Sequence, residues 1–265
     1  MIKGISMGQY LPACSPVHRL DPRAKLLCTV MAVPAVLVTY NTIALVLVSM
    51  WVLLAAAFSG IKPGVYWSSL KPLWVLLLVS FVLQVFFTPG EAVLTAWFIK
   101  ISREGLVNSG WLLWRISVLL IAAAALTFTT TPLQLTAALE WLLSPLRRVK
   151  VPVRELVMMI NLALRFVPTL FDEARQLLLA QRSRGADFTR GGIKERAGRL
   201  APFIVPLLAN IFSRADELAL AMEIRCYEVG ARRSRMHVLR FGPADYTALL
   251  VTMAVVLAVA AMRVL

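Results

Sequence analysis

Charged residues are absent from the chain over long stretches, and these stretches set out its first elements. From Leu26 to Ile61 there is none. As one straight helix that run would reach about 54 Å, well beyond a bilayer core of about 30 Å. It therefore predicts two shortish spans with a turn near Thr39-Tyr40-Asn41-Thr42, where Asn and Thr side chains can satisfy freed backbone groups. A loop with Pro63 and Gly64, bracketed by Lys62 and Lys71, follows. Pro72 to Gly90 is the next uncharged run. Residues 91–104 carry charges of both signs and read as an outside loop, with Ala92–Ile99 dipping into the interface around Trp97. A fourth span covers roughly 106–130, with Arg115 near its outer end placed to snorkel. Thr131-Pro132 should open a new helix, since Thr caps well and Pro is tolerated in the first turn. The last apolar run, 246–262, lies between Asp245 and Arg263.

Between the fourth and last spans the pattern changes from uniform to periodic. Residues 132–146 predict a short amphipathic helix that stops at Ser144-Pro145. Over 152–184, Leu156, Met159, Ile160, Ala163, Phe166, Val167 and Leu170 recur at helical spacing, with Pro168 expected to bend or divide the helix. Arg165 inside that segment argues against a span, because a central arginine costs about 2.5–3.5 kcal/mol in a bilayer. A further helix is expected from about Ile193 to Tyr227. Its uncharged middle, Leu200–Ser213, is too short to cross a membrane.

Composition strengthens this picture. The chain has 265 residues, of which 59% are hydrophobic, with mean hydropathy +0.76. Soluble domains are usually about 45–50% apolar. The net charge is +14, and segment 147–240 holds 18 basic against 9 acidic residues. A basic block beside apolar spans points to the cytoplasmic side. Its interleaving with apolar helix faces weighs against nucleic-acid binding. Cys14, Cys28 and Cys226 are too scattered for a zinc or redox motif, and the first twenty residues lack a signal-peptide pattern. The fold class expected is an all-α integral membrane protein with about five transmembrane helices and a cytoplasmic module of long amphipathic helices. The divisions expected are 1–131, 132–242 and 243–265.

The candidate chemistry lies in the basic block. Ser183-Arg184-Gly185 and Ile224-Arg225-Cys226 each place an arginine near the end of a long helix. A helix C-terminus has unpartnered carbonyls and a negative dipole, which explains either arginine alone. A pair of such ends also suits bidentate contacts with carboxylates of a partner that has two equivalent grooves. Catalytic readings are poor. Gly191-Gly192-Ile193-Lys194 lacks the spacing of a phosphate loop, and His18 and His237 have no metalloprotease context. Asp172-Glu173 and Asp216-Glu217 read as solvated faces or as salt-bridge partners of nearby Arg175 and Arg214. The tryptophans read as interfacial anchors.

The joint order of several segments resembles the transmembrane T component of energy-coupling-factor (ECF) transporters, the family of the cobalt- and biotin-system permeases. These segments are Ser15-Pro16-Val17-His18-Arg19-Leu20-Asp21-Pro22-Arg23-Ala24-Lys25, Thr130-Thr131-Pro132-Leu133-Gln134-Leu135-Thr136, Ala163-Leu164-Arg165-Phe166-Val167-Pro168-Thr169, Ser183-Arg184-Gly185-Ala186-Asp187, and 214–227 with its Glu223-Ile224-Arg225-Cys226-Tyr227 end. The resemblance implies two Ala-Arg-Gly-like motifs that engage two cytoplasmic ABC-type ATPases, while another face holds a substrate-binding S component for vitamin or metal-ion uptake. It implies a multi-pass protein of a prokaryotic cell membrane that is itself no enzyme and binds no cofactor, ATP being used by the partner ATPases. It places Ser183, Arg184, Gly185, Ile224, Arg225 and Cys226 in ATPase coupling. Here Ser183 stands for the first Ala, and Ile224 and Cys226 stand for Ala and Gly, which puts close backbone approach at 226 in question. A membrane enzyme acting on an anionic lipid or pyrophosphate is the alternative, and a scaffold or channel a third reading.

Overall fold

The computed structural model describes residues 10–13, 15–39, 41–88, 92–96, 99–185, 193–228, 230 and 240–264. The chain packs as two compact units, 1–142 with 237–265, and 143–236. As a compact unit, the expected module 132–242 thus begins only at Leu143.

In the first unit the charge-free run is divided as its pattern predicts. Helix α1 (Pro16–Arg19) leads into α2 (Pro22–Val38) and α3 (Thr42–Phe58). The Asn41 side chain caps α3 by accepting from the Ile43 N–H at 3.1 Å. Gly60, at φ +68°, ends α3 in the left-handed conformation. The loop expected between Lys62 and Lys71 is instead helix α4 (Pro63–Leu70). Pro63 supplies the fixed φ of a first helical position. Tyr66 then packs edge-on to Phe128, with ring centroids 5.7 Å apart, and its hydroxyl lies 2.9 Å from Ser59 Oγ. A 3₁₀ turn over Lys71–Leu73 carries the chain into α5 (Trp74–Phe87).

The segment expected as an outside loop is not all irregular. Strands β1 (Ala92–Ala96) and β2 (Ile99–Ser102) pair antiparallel, with Leu94 opposite Ile101 and Ala96 opposite Ile99. Two short runs rich in β-branched residues can satisfy each other's backbone, which a loop beside a membrane could not do alone. Trp97 lies outside the described residues. Helix α6 (Arg103–Thr129) follows, then α7 (Pro132–Leu143). The start of α7 is a capping box. The Gln134 N–H donates to Thr131 Oγ1 at 3.3 Å, and the Thr131 N–H to Gln134 Oε1 at 3.1 Å. Helix α10 (Pro243–Val264) closes the unit.

The core lies where α2, α3, α6 and α10 meet, around Val36, Leu45, Val48, Val118 and Val259. Ala35, Ala44 and Ala122 are interleaved there. Small residues let helix backbones approach closely where lipid offers no hydrophobic driving force. Large apolar side chains point outward instead, among them Ile43, Met50, Val75, Leu76 and Phe87. Three helical segments are long and apolar enough to cross a membrane: 63–87, 103–129 and 243–262. Helices α2 and α3 have 17 residues each, the lower end of the spanning range, or about 26 Å. This is the architecture of an all-α membrane protein with one short hairpin.

A polar knot fastens the ends of these helices. Asp245 is 4% exposed, and its carboxylate accepts from the Asp21 N–H at 2.7 Å and the Gly242 N–H at 2.7 Å. Lys25 Nζ donates to the Thr129 carbonyl at 2.9 Å and the His18 carbonyl at 3.2 Å. His18 lies between Ser15 Oγ (2.7 Å) and the Leu11 carbonyl (3.0 Å). The motif 15–25 is therefore structural in the first instance. The Arg115 side chain is half-buried and has a protein partner. Its guanidinium donates to the Thr39 carbonyl, at the end of α2 where backbone acceptors lack helical partners.

Candidate functional site

The second unit carries the two candidate ends. Helix α8 (Val153–Ser183) and helix α9 (Ile193–Ile224) fall close to their predicted bounds. Helix α8 runs unbroken through Pro168, and α9 through Pro202 and Pro206.

The two helices end in the same way. In α8 the Arg184 N–H bonds the Ala180 carbonyl at 3.2 Å, and the Gly185 N–H bonds that of Arg182 at 2.9 Å. Gly185 has φ +85°. In α9 the Arg225 N–H bonds the Ala221 carbonyl at 3.3 Å, and the Cys226 N–H bonds that of Glu223 at 2.9 Å. The Tyr227 N–H reaches back to Met222 at 3.0 Å, completing a Schellman motif. Cys226 has φ +55°. Arg184 and Arg225 thus both take the cap position, and Gly185 and Cys226 both take the left-handed position after it. The backbone turn that glycine favours is made at 226 by a cysteine.

This geometry sets what the ends can do. A left-handed residue turns the chain aside, so the preceding arginine is the last side chain on the helix. Ser183, Arg184, Gly185, Ile224, Arg225 and Cys226 are all exposed. Among the described residues, no ion pair engages the guanidinium of Arg184 or Arg225. One turn before each motif stands a leucine, Leu179 at 62% and Leu220 at 58% exposure, and Ile224 is 74% exposed. Each end therefore joins a cation to exposed apolar surface, the composition of a docking patch. Sequence reasoning missed the two leucines. They are separated by 41 positions, as are Arg184 and Arg225, and that shared offset marks them.

Among the described residues, two polar links join the helices. Arg214 of α9 pairs with Glu173 Oε1 of α8, and Gln181 Nε2 donates to the Pro202 carbonyl at 3.2 Å. Glu173 thus reaches across to Arg214 rather than locally to Arg175. Asp172, Asp216 and Glu217 are exposed. Among the described residues, no group of three or more His, Cys, Asp or Glu side chains is placed to hold a metal ion.

Known proteins share the pattern over nearly the whole chain. The family model CbiQ, cobalt transport protein, matches residues 13–238. An energy-coupling factor transporter transmembrane protein of Acidaminococcus fermentans is 41% identical over 263 residues, covering 99% of this chain and 98% of that protein. One from Thermanaerovibrio acidaminovorans is 43% identical over 247 residues, covering 92% of this chain and 91% of its own. One from Lactobacillus helveticus is 40% identical over 250 residues, covering 94% and 90% respectively. With matches of this extent on a helical membrane scaffold, the chain belongs to the cobalt transport protein family, among the transmembrane components of energy-coupling factor transporters.

Proposed function

We propose that this chain is the coupling subunit of an ECF-type importer. Two cytoplasmic ABC-type ATPases dock on the ends at Arg184 and Arg225. Their ATP-driven movement passes along α8 and α9 to a substrate-binding S component, which delivers a vitamin or metal ion. The chain catalyses nothing itself and binds no cofactor, since ATP is used by the partners. It resides in a prokaryotic cell membrane, with its N-terminus and the α8–α9 module in the cytoplasm.

The duplicated helix end carries this reading. One arginine at a helix terminus is explained by the dipole. Two ends alike in cap residue, left-handed turn and preceding exposed leucine are not. A guanidinium at such an end can form a bidentate pair with a carboxylate in a groove, and two equal ends fit two copies of one partner. The apolar rim of Leu179, Leu220 and Ile224 supplies buried area around the charge.

The test is Arg184→Glu together with Arg225→Glu. The double variant should reach the membrane and keep its fold, yet lose both copurified ATPases and substrate uptake. Normal uptake by that variant would end this reading.

A further inference from the structure

Both long helices contain weak points between their starts and their arginine ends. Pro168 lies inside α8, and Pro202 and Pro206 lie inside α9. A proline has no N–H to bond the carbonyl four residues earlier, so a helix bends most easily there. For Pro206 the deprived carbonyl is that of Pro202. The structure supplies a substitute donor from the other helix, Gln181 Nε2 at 3.2 Å. The fastening on α9 thus sits at its prolines.

The second fastening lies nearer the start of α8 and further along α9. Glu173 comes five residues after Pro168, and Arg214 eight after Pro206. Each is eleven residues before its own helix's arginine, Arg184 or Arg225. Eleven residues make about three turns, or about 16 Å, so the arginine returns to nearly the same helix face as the pairing residue. The link therefore joins equivalent points of two equivalent arms. The two links also run in opposite order along the helices, 173 to 214 and then 181 to 202, so the arms are antiparallel. Their arginine ends point away from each other, up to about 33 Å apart along the pair.

An unfastened arm would flex at its proline, and a pull on one end would be spent there. The geometry points to Glu173 and Arg214 as positioning residues, a pin that, with Gln181, makes the two arms one rigid lever and fixes the separation of the docking ends. This rests on the reading of Arg184 and Arg225 as those ends. Glu173 suits the part because its side chain is only 21% exposed. A charge held away from water is screened less than a surface one.

The test uses the full complex of this chain with its ATPases and S component in liposomes, measuring substrate taken up per ATP hydrolysed. Glu173→Arg should leave both ATPases bound and hydrolysing ATP while uptake per ATP falls about tenfold. Combining Glu173→Arg with Arg214→Glu reverses the pair and should bring the ratio back to within about twofold of the starting protein. A role in packing alone would not be rescued by reversed charges. Wild-type uptake per ATP in Glu173→Arg overturns the inference, and so does a swap that fails to restore the ratio, assembled or not. The docking reading is judged separately by Arg184→Glu with Arg225→Glu, whose defect is loss of the ATPases rather than loss of yield per ATP.

Discussion

Replacing Gly185 by alanine isolates the backbone demand at the end of α8. Its φ is +85°, and a Cβ added there meets nothing within 4 Å. The substitution therefore adds no clash with neighbours. What it adds is the left-handed penalty of an L-residue, about 1–2 kcal/mol. The same change at Gly198 is the internal control. Gly198 lies inside α9, where a Cβ also meets nothing within 4 Å and no positive φ is required. Alanine there should stabilise by about 0.5–1 kcal/mol, because glycine loses more freedom on entering a helix. One chemical change thus has opposite signs at two sites. The readout is amide hydrogen exchange of the purified protein, followed by mass spectrometry on peptides covering each site. The last turn of α8 reports through the Arg184 and Gly185 N–H groups, bonded at 3.2 and 2.9 Å to the preceding turn. Since about 1.4 kcal/mol is tenfold, Gly185→Ala should speed exchange there roughly tenfold, while Gly198→Ala slows it around 198 a few-fold. Equal exchange in Gly185→Ala and the parent, or the same sign at both sites, would refute the assignment of the left-handed turn.

Two further outcomes follow from the same structure. Cys226→Gly removes a side chain from a left-handed position and should slow exchange at the end of α9 by a few-fold, matching about 0.5–1 kcal/mol, with ATPase copurification at least maintained. A faster-exchanging end would show that the thiol contributes more than its backbone costs. Asp245→Ala leaves the Asp21 and Gly242 N–H groups without their acceptor in a buried place, which should cost about 3 kcal/mol. Thermal unfolding in detergent measures it, and an unchanged midpoint would show that the knot does not hold α2 to α10.

Much of the fold was legible because it is locally encoded. Charge-free runs located α2, α3, α5 and α10, and Thr131-Pro132 marked the start of α7 through a cap bond three residues long. The arginine ends were legible for the same reason, since a helix terminus is specified by the few residues around it. Readings failed where the partner is distant. Asp172-Glu173 reads as a solvated face or a partner of nearby Arg175, yet Glu173 pairs with Arg214, 41 positions on. The acceptor for Arg115, the Thr39 carbonyl, lies 76 positions back and has no mark in the local pattern. Lys62 and Lys71 suggested a loop, yet burial of Tyr66 against Phe128 and Ser59 makes that segment helical.

Cys226 shows where the boundary falls. Its residue type argues against a positive φ, and the loss of glycine there put backbone approach in doubt. The closed hydrogen bonds of the α9 terminus impose the turn anyway, so the end keeps the shape of its glycine-bearing counterpart. The sequence by itself determined where the long apolar helices and the two long amphipathic helices lie, and which two ends carry an arginine, because hydropathy, periodicity and capping act within a few residues. Only the tertiary structure decided that those two ends are alike in backbone, that they belong to antiparallel arms, and that Glu173, Gln181, Pro202 and Arg214 fasten the arms together. Ion pairs and borrowed carbonyls form between residues that packing, not sequence spacing, brings within bonding distance.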